Sequence, residues 1–420
     1  MFITRRNFVK TSFSASTLLA FSSLVPGFLC RSAAAPEVRR GGKGTALVVV
    51  QLSGGNDGLN TVVPYEDDAY HRNRPTLRIA GNKVLKIGQR LGFHPDMSAF
   101  HKLFNEGLLS VVQGTGYPAS SRNHDGAMHD WHTALPKEVL LQTGWIGRAL
   151  EQVYDPQTQD VPGVFVGHIH PPFSLRTEKV IVPVVRDAEQ WSTSPGSNNA
   201  GKQVYRQQML QAIKANPGTG DNPLLEFVKT TSQQTLAASQ RVETHSLEMG
   251  SGAAYPQFRL AQTLRTIAQM IRSDLGIRIY FVELGGGNIG GFDTHAGQAA
   301  NHGALLRELA EAVSAFMGDL QRDKLHQQVM LMTFSEFGRT LAENGRRGTG
   351  HGTSAPMFLA GGALKGGIVG AHPSLTNLDG DAPRFHTDFR RVYATVLERW
   401  LGIESTKVLG GRFAPVEGIV

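Results

Sequence analysis

The sequence predicts an α/β protein in which helices sandwich a central, mostly parallel sheet, with a helical insertion. Short runs rich in Val, Ile, Leu and Phe alternate with helical patterns along most of the chain. Polar segments that contain glycine follow several of these runs. One region, residues 186–275, departs from the alternation. Short apolar runs bounded by turn residues are typical of strands buried on both faces of a parallel sheet, which favours the α/β class.

Each predicted strand is a short run of mainly apolar residues with many β-branched members. The strands are predicted at 45–52, 109–113, 163–166, 179–184, 277–284, 329–334 and 356–360. Helices are predicted at 97–106, 301–323 and 388–401. The last helix has clear boundaries, because Thr387 is placed to cap its start, Asp388 lies in its first turn and Gly402 follows its end.

The region 186–275 opens with the polar sequence STSPGSNNAGKQ and continues into long helical patterns. Those patterns predict helices at 203–215, 222–249 and 256–273. We therefore expect one α/β domain over residues 45–402, interrupted by a helical insertion at about 186–275. Residues 403–420 are expected to form a C-terminal tail.

The N-terminal segment predicts export. The sequence TRRNFVK is followed by a mostly apolar stretch and by small residues suited to cleavage, so residues 1–35 are predicted as a twin-arginine signal peptide. Its apolar stretch contains serines and threonines and is broken by Pro26, which argues against a membrane span. Lipid attachment at Cys30 is disfavoured by the residues before it. We expect a periplasmic or otherwise exported protein without a membrane span once the signal is removed.

Charge and cysteine content exclude two classes of protein. The leader contains four of the 42 basic residues and none of the 35 acidic ones, so the remainder has a nominal charge of +3. Such a balance gives no electrostatic case for nucleic-acid binding. Cys30 is the single cysteine and lies in the leader, so disulfides cannot stabilise the exported chain.

Ionisable residues follow the predicted strands. In open α/β sheets ligands bind beyond the carboxyl ends of the strands, so these residues are expected to converge. Several carboxylates and imidazoles gathered in one cleft would carry a high desolvation and repulsion cost unless a cation lay between them. The candidate metal ligands are Asp57, Asp293, His295, Glu336 and His351.

Asp293 and His295 are two residues apart, so on an extended backbone both side chains point to the same side. Mixed nitrogen and oxygen donors suit zinc, manganese or iron better than calcium, and one or two divalent ions are expected. Purely structural interpretations remain open for single residues. Asp57 could brace its glycine-rich turn, Glu336 could pair with Arg339, and His351 could bond to the backbone.

A further segment, YPASSRNHDGAMHDWHTA, follows the strand at 109–113 and supplies candidates for direct chemistry. Ser121, Arg122 and Asn123 are the candidate catalytic residues, with the arginine suited to an anionic substrate. The pairs His129 with His132, and His168 with His170, are left out of the predicted site, because two histidines without a third ligand are usually surface or packing residues.

Taken together, the motifs resemble the bacterial domain-of-unknown-function 1501 family. The resembling sequences are VQLSGGNDGLNTVVPY, WHTA, GGFDTHAGQ with LLRELAEAVSAF, TFSEFGRT, GHGTSAPMFLAGG and TDFRRVYATVLERWLG, which span residues 45–402. That family is in turn similar to the alkaline phosphatase and sulfatase superfamily. The resemblance implies an alkaline phosphatase-like α/β fold. It also implies one or two metals at the strand ends and attack on a phosphate or sulfate ester by a Ser, Thr or formylglycine nucleophile.

By this resemblance, Asp57 corresponds to the superfamily's first metal-binding aspartate, and Asp293 with His295 to its central pair. Glu336 stands where a strand-end aspartate is usual, and His351 corresponds to the final histidine ligand. Two positions depart from the pattern. Asn123 lies where relatives have a serine, and Gly350 lies beside His351 where relatives have an aspartate.

The sequence raises three candidate functions. The ligand set favours an exported metal-dependent hydrolase of anionic phosphate or sulfate esters, small or polymeric, with Ser121 or a metal-activated water in place of the missing serine. The departures at 123 and 350 favour instead a non-catalytic relative that serves as a binding or assembly module with a protein partner in the cell envelope. A nucleotide-binding oxidoreductase is disfavoured, since GGNDGLN lacks the Gly-x-Gly-x-x-Gly spacing.

Overall fold

The computed structural model describes residues 44–136, 138, 140–154, 162–167, 170–180, 182–185, 254–274, 276–285 and 291–420. The predicted signal peptide at 1–35 lies outside the described residues, as do the predicted helices at 203–215 and 222–249. The third helix predicted for the insertion, at 256–273, is present as a helix from Arg259 to Arg272.

The strands are β1 (Ala46–Leu52), β2 (Val62–Val63), β3 (Leu85–Lys86), β4 (Gly92–Phe93), β5 (Leu109–Gly116), β6 (Gly163–Val166), β7 (Val184–Val185), β8 (Ile279–Leu284), β9 (Val329–Phe334), β10 (Arg339–Glu343), β11 (Thr349–His351), β12 (Ala355–Ala360), β13 (Gly367–Val369), β14 (Leu378–Asp379), β15 (Ala382–Pro383) and β16 (Thr387–Asp388).

The α-helices are α1 (Gly58–Thr61), α2 (Asp68–Asn73), α3 (Ser98–Asn105), α4 (His124–Thr133), α5 (Trp145–Val153), α6 (Arg259–Arg272), α7 (Gln298–Arg322), α8 (Phe389–Thr395) and α9 (Ser405–Leu409). Single turns of 3₁₀ helix lie at Pro95–Met97, Phe173–Leu175 and Leu325–Gln327, and a π-helix lies at Val396–Leu401.

The main sheet confirms the predicted α/β class. Its order is β13-β5-β12-β9-β1-β8-β6-β7, with β16 also paired to β5. All pairings are parallel except those of β12, which runs antiparallel to both β5 and β9. Because β1 runs parallel to its neighbours β8 and β9, the three segments that follow them leave the sheet at the same edge.

Helices cover both faces of this sheet. Alternate residues of β1 point to opposite faces, with Val48 and Val50 in one apolar cluster and Leu47 and Val49 in the other. The first cluster is completed by α3, α6 and α7, and the second by α4, α5 and α8. Burial of each such side chain contributes about 1.5–3 kcal/mol, so the two-sided core stabilises a chain without disulfides.

The structure corrects three boundaries. The strand predicted at 179–184 is present only as Val184–Val185, which pairs with β6. The final helix is capped by Asp388, whose carboxylate accepts the Arg390 N–H, and its second half is the π-helix, although it ends at Gly402 as predicted. Residues 403–420, expected as a tail, contain α9, and Val408 and Ile419 are fully buried.

Among the residues that the structure describes, none of the helices has the length and apolar character needed to span a bilayer.

Candidate metal centre

Three ionisable side chains converge beyond the carboxyl edge of the sheet. Asp293 lies in the segment after β8, His124 is the first residue of α4, and His351 is the last residue of β11. Each offers one ligand atom, and these atoms all lie within 4.8 Å of one another. We call His124, Asp293 and His351 the metal group.

His295 joins this group through Asp293 and His351. Its Nε2 lies 2.9 Å from Asp293 Oδ1 and 2.9 Å from His351 Nε2. His351 Nε2 is 3.2 Å from Asp293 Oδ1, and His124 Nε2 is 3.4 Å from Asp293 Oδ2. The predicted pair at 293 and 295 therefore lies side by side, and both carboxylate oxygens of Asp293 face imidazole nitrogens.

The second ring nitrogen of two of these histidines is held by an acceptor. His351 Nδ1 donates to the backbone carbonyl of Arg122 at 2.7 Å, and His124 Nδ1 lies 3.0 Å from Glu336 Oε1. A neutral imidazole that donates through Nδ1 has its lone pair on Nε2. In their neutral forms, this tautomer leaves the Nε2 atoms of His124 and His351 free to bind a metal ion, which is how metal-binding histidines are commonly oriented.

Glu336 lies behind His124 rather than within the metal group. Its side chain is buried, and Oε1 accepts the backbone N–H of Gly54 at 2.8 Å as well as facing His124. The structure thus places Glu336 near the site, where its side chain contacts the His124 ring. A ligand role for Glu336 stays a prediction.

Asp57 is enclosed in a separate buried pair. Its Oδ2 accepts from Arg74 Nη1 at 2.6 Å and from Gln298 Nε2 at 2.5 Å, and both partners of the ion pair have fully buried side chains. Burial alone would raise the pKa of Asp57, but the Arg74 guanidinium more than offsets it and lowers the pKa. An arginine therefore supplies the positive charge that the sequence argument assigned to a metal, and a ligand role for Asp57 stays a prediction.

The loop before Asp57 needs its glycines because it packs on the segment that carries Asp293. Gly54 has a φ of +115°, and a Cβ there would lie 2.4 Å from the Asp293 backbone nitrogen. A side chain at this position would displace the metal group.

Arg339 is buried beneath the metal group. It donates to Asp293 Oδ1 at 2.8 Å, to Phe292 O at 2.8 Å, to Gly55 O at 2.7 Å and to Gly54 O. Its partner is therefore Asp293, not Glu336, and its donors are directed at the protein rather than at a substrate. Arg339 fixes the carboxylate and the two loops around it.

The charges of the site follow from these contacts. Burial would raise the pKa of Asp293, but the hydrogen bond and charge of Arg339 lower it overall. The hydrogen bond to Glu336 raises the pKa of His124, whereas desolvation lowers the pKa of His295. At neutral pH Asp293 is a carboxylate and His295 is a neutral donor, which are the states that bind a metal.

The structure gives each predicted catalytic residue a structural partner. Asn123 caps α4, since its Oδ1 accepts from Asp125 N at 3.0 Å and Gly126 N at 3.3 Å. The Arg122 guanidinium pairs with Asp381 at 2.5 Å. Ser121 Oγ accepts from the Asn123 N–H at 3.1 Å. Catalytic roles for Ser121, Arg122 and Asn123 stay predictions, and the contact that touches the site is the Arg122 carbonyl on His351.

Sequence reasoning missed His124. The signal was available, because His124 follows strand β5 in the same way that the other candidates follow their strands. His132, excluded from the predicted site, is buried, and its Nε2 lies 2.6 Å from Gln51 Oε1.

A family model described as "Protein of unknown function (DUF1501)" matches residues 45–412. No curated protein matches the chain.

Solved structures resemble the fold at low sequence identity. The C-terminal periplasmic domain of EcEptC from Escherichia coli, in complex with Zn, is 11% identical, with 77% of this chain and 75% of that chain covered and a TM-score of 0.36. Alkaline phosphatase from the Antarctic bacterium TAB5 is 11% identical, with 76% and 92% covered and a TM-score of 0.31. PsFucS1 sulfatase from Pseudoalteromonas sp. is 12% identical, with 91% and 72% covered and a TM-score of 0.36.

Proposed function

The chain belongs to the DUF1501 family, and from that premise we propose that it is an exported, metal-dependent hydrolase of phosphate or sulfate esters. The observation that carries the proposal is the metal group of His124, Asp293 and His351, whose ligand atoms lie within 4.8 Å of one another. Export through the twin-arginine signal and a periplasmic location are part of the proposal.

The donor set fits a divalent cation. Imidazole nitrogens with one carboxylate suit zinc, manganese or iron. His124, Asp293 and His351 would hold the ion, and His295 lies within reach through the same Asp293 oxygen. Their exposed side is partly open, since the side chains of His124 and Asp293 are 38% and 33% exposed. An anionic ligand can therefore approach them.

A bound divalent ion would act as a Lewis acid on the ester and offset charge in the transition state. The protein's own contribution is orientation. Glu336 holds the ring of His124, the Arg122 carbonyl holds the ring of His351, and Arg339 keeps Asp293 ionised and in place. Because these contacts already orient the three side chains, little conformational entropy is lost when a metal ion binds to them.

A second candidate is the non-catalytic binding or assembly module of the cell envelope. Asn123, at the place of the relatives' serine, uses its side-chain oxygen as a helix cap, which supports this alternative. A capping amide is not a nucleophile. Ester turnover that depends on the metal group would exclude this candidate.

The test is elemental analysis of residues 35–420 purified without chelator, compared with an Asp293→Ala/His295→Ala variant. The matched control is Asp68→Ala/His101→Ala, which removes the same residue types from an exposed position and a half-buried one outside the metal group. The proposal predicts near-stoichiometric metal in the parent and the control, and loss in the site variant. Parent protein without metal, or equal metal in all three, would contradict it. Hydrolysis of 4-nitrophenyl phosphate and 4-nitrophenyl sulfate then assigns the ester.

A further inference from the structure

A second polar array lies at the same edge of the sheet and takes no part in the metal group. It runs from His132 on α4 through Gln51 and Ser53 to Glu283 at the end of β8. His132 Nε2 is 2.6 Å from Gln51 Oε1, Gln51 Nε2 is 2.8 Å from Ser53 Oγ, and Ser53 Oγ is 2.5 Å from Glu283 Oε1. We call these four residues the serine chain.

The hydrogen bonds of the serine chain all run in one direction. Desolvation lowers the pKa of His132 to about 3, so its ring is neutral and donates from Nε2 to the Gln51 carbonyl oxygen. The Gln51 amide then donates to Ser53 Oγ, which leaves the single proton of that hydroxyl for Glu283. His132 and Gln51 therefore aim the Ser53 O–H at a carboxylate.

Backbone contacts join Ser53 to the segments that lead to the metal group. Gln51 and Glu283 are paired residues of the parallel strands β1 and β8. The Ser53 carbonyl accepts the Phe292 N–H at 2.9 Å, one residue before Asp293. On its other side Gly54 donates its N–H to Glu336. Ser53 is thus held between the two segments that carry Asp293 and Glu336.

Burial suits Glu283 to accept a proton. Desolvation is the main cause that raises the pKa of this carboxyl, and the nearby charge of Glu336 adds to it. A carboxylate that is more basic than usual and bonded to a hydroxyl has the geometry of a nucleophile and its base.

The same type of pair occurs elsewhere with a different setting. Ser405 Oγ is 2.5 Å from Glu398 Oε1, but Ser405 is fully buried at the start of α9 and does not follow a strand of the main sheet. Ser53 and Glu283 are both partly exposed at the sheet edge where ligands bind in this class of fold. Position, not the hydrogen bond alone, distinguishes the two pairs.

We propose that Ser53 is the nucleophile that attacks the phosphate or sulfate ester and that Glu283 is its general base. The inference rests on the proposed function and names a different serine from Ser121. Ser53 Oγ bonds to phosphorus or sulfur as its proton moves to Glu283, and the ester bond to the alcohol oxygen breaks. The alcohol leaves with that proton. Water then attacks the phosphorus or sulfur, gives a proton through Glu283 to Ser53 Oγ, and releases phosphate or sulfate.

The test uses an alkyl fluorophosphonate on residues 35–420, with adducts located by peptide mass mapping. We expect one adduct on Ser53, none in Ser53→Ala, and labelling slowed by roughly 10²-fold or more in Glu283→Gln. Ser405→Ala is the matched control and should label like the parent. Metal content measured in every variant separates a lost nucleophile from a lost metal group.

An adduct elsewhere, or equal labelling in Glu283→Gln, would overturn the assignment, as would ester turnover by Ser53→Ala at the parent's rate. The Glu283→Gln variant keeps the shape of the side chain, so it decides the matter if Ser53→Ala fails to fold. Labelled Ser53 in a parent protein without metal would contradict the proposed metal-dependent function but support Ser53 as the nucleophile. Bound metal with unlabelled Ser53 would support metal binding but contradict the assignment of Ser53.

Discussion

Two aspartates follow strands at the same edge of the sheet, and each is paired with an arginine. Asp57 lies 2.6 Å from Arg74, with both side chains fully buried. Asp293 lies 2.8 Å from Arg339, but the aspartate side chain is 33% exposed. Of the two, Asp293 is the one whose carboxylate lies within 3.4 Å of imidazole nitrogens. The difference shows that a strand-end carboxylate becomes a ligand candidate when its arginine leaves one side open.

Replacing Arg74 by methionine should break the buried ion pair with Asp57. Of the changes predicted here, it should reduce stability most. The variant leaves Asp57 buried without its counter-charge, which costs about 3–5 kcal/mol in comparable pairs. We expect the free energy of unfolding in urea to fall by that amount. The double variant Asp57→Asn/Arg74→Met should recover much of the loss. A fall under about 1 kcal/mol in the single variant would show that the pair is not isolated from water.

Replacing Glu336 by glutamine should weaken metal binding at the metal group without unfolding the protein. The amide keeps the shape but removes the charge that holds the His124 ring. Outer contacts of this kind are worth about 10–100-fold in metal affinity. Zinc titration of the chelator-stripped protein measures the change, with Glu343→Gln, a half-buried acid on β10, as the control. Unchanged affinity in Glu336→Gln would remove Glu336 from the site.

His132 is a buried histidine, and burial changes its pKa in a way that can be tested. Its pKa is lowered to about 3 by burial, while the unfolded value is about 6.5. Between these values the unfolded chain binds a proton that the folded chain does not, so stability is lost as the pH falls below about 6.5. His132→Gln should reduce this loss by up to about 1.4 kcal/mol per pH unit, measured by urea unfolding at pH 7.5 and 5.5. The same pH dependence in parent and variant would contradict the assignment.

The sequence predicted the sheet and where the ionisable residues leave it. The runs that became β1, β8 and β9 are short, mostly apolar and rich in strand-forming residues, which predicts strands, and parallel strands bring the residues after them to one edge. This rule identified Asp293 and His295, whereas His351 was identified just before the strand predicted at 356–360, and the structure brings the three together.

The partners of the carboxylates could not be predicted. Arg74 caps the end of α2, 17 residues from Asp57, and no periodic pattern relates the two positions. Strands β10 and β11 are only five and three residues long, and the sequence predicts no strand at Arg339 or His351. Which charges satisfy each other depends on tertiary packing, and for that reason a cation was inferred where an arginine lies.

The most direct measurement is the metal content of three chelator-free proteins: the parent, Asp293→Asn and Asp57→Asn/Arg74→Met. We expect metal in the parent and in the double variant, because the buried pair of Asp57 and Arg74 is not a ligand, and loss of metal in Asp293→Asn. Metal retained by Asp293→Asn, or lost in a folded Asp57→Asn/Arg74→Met protein, would contradict the claim that Asp293 binds the metal and Asp57 does not.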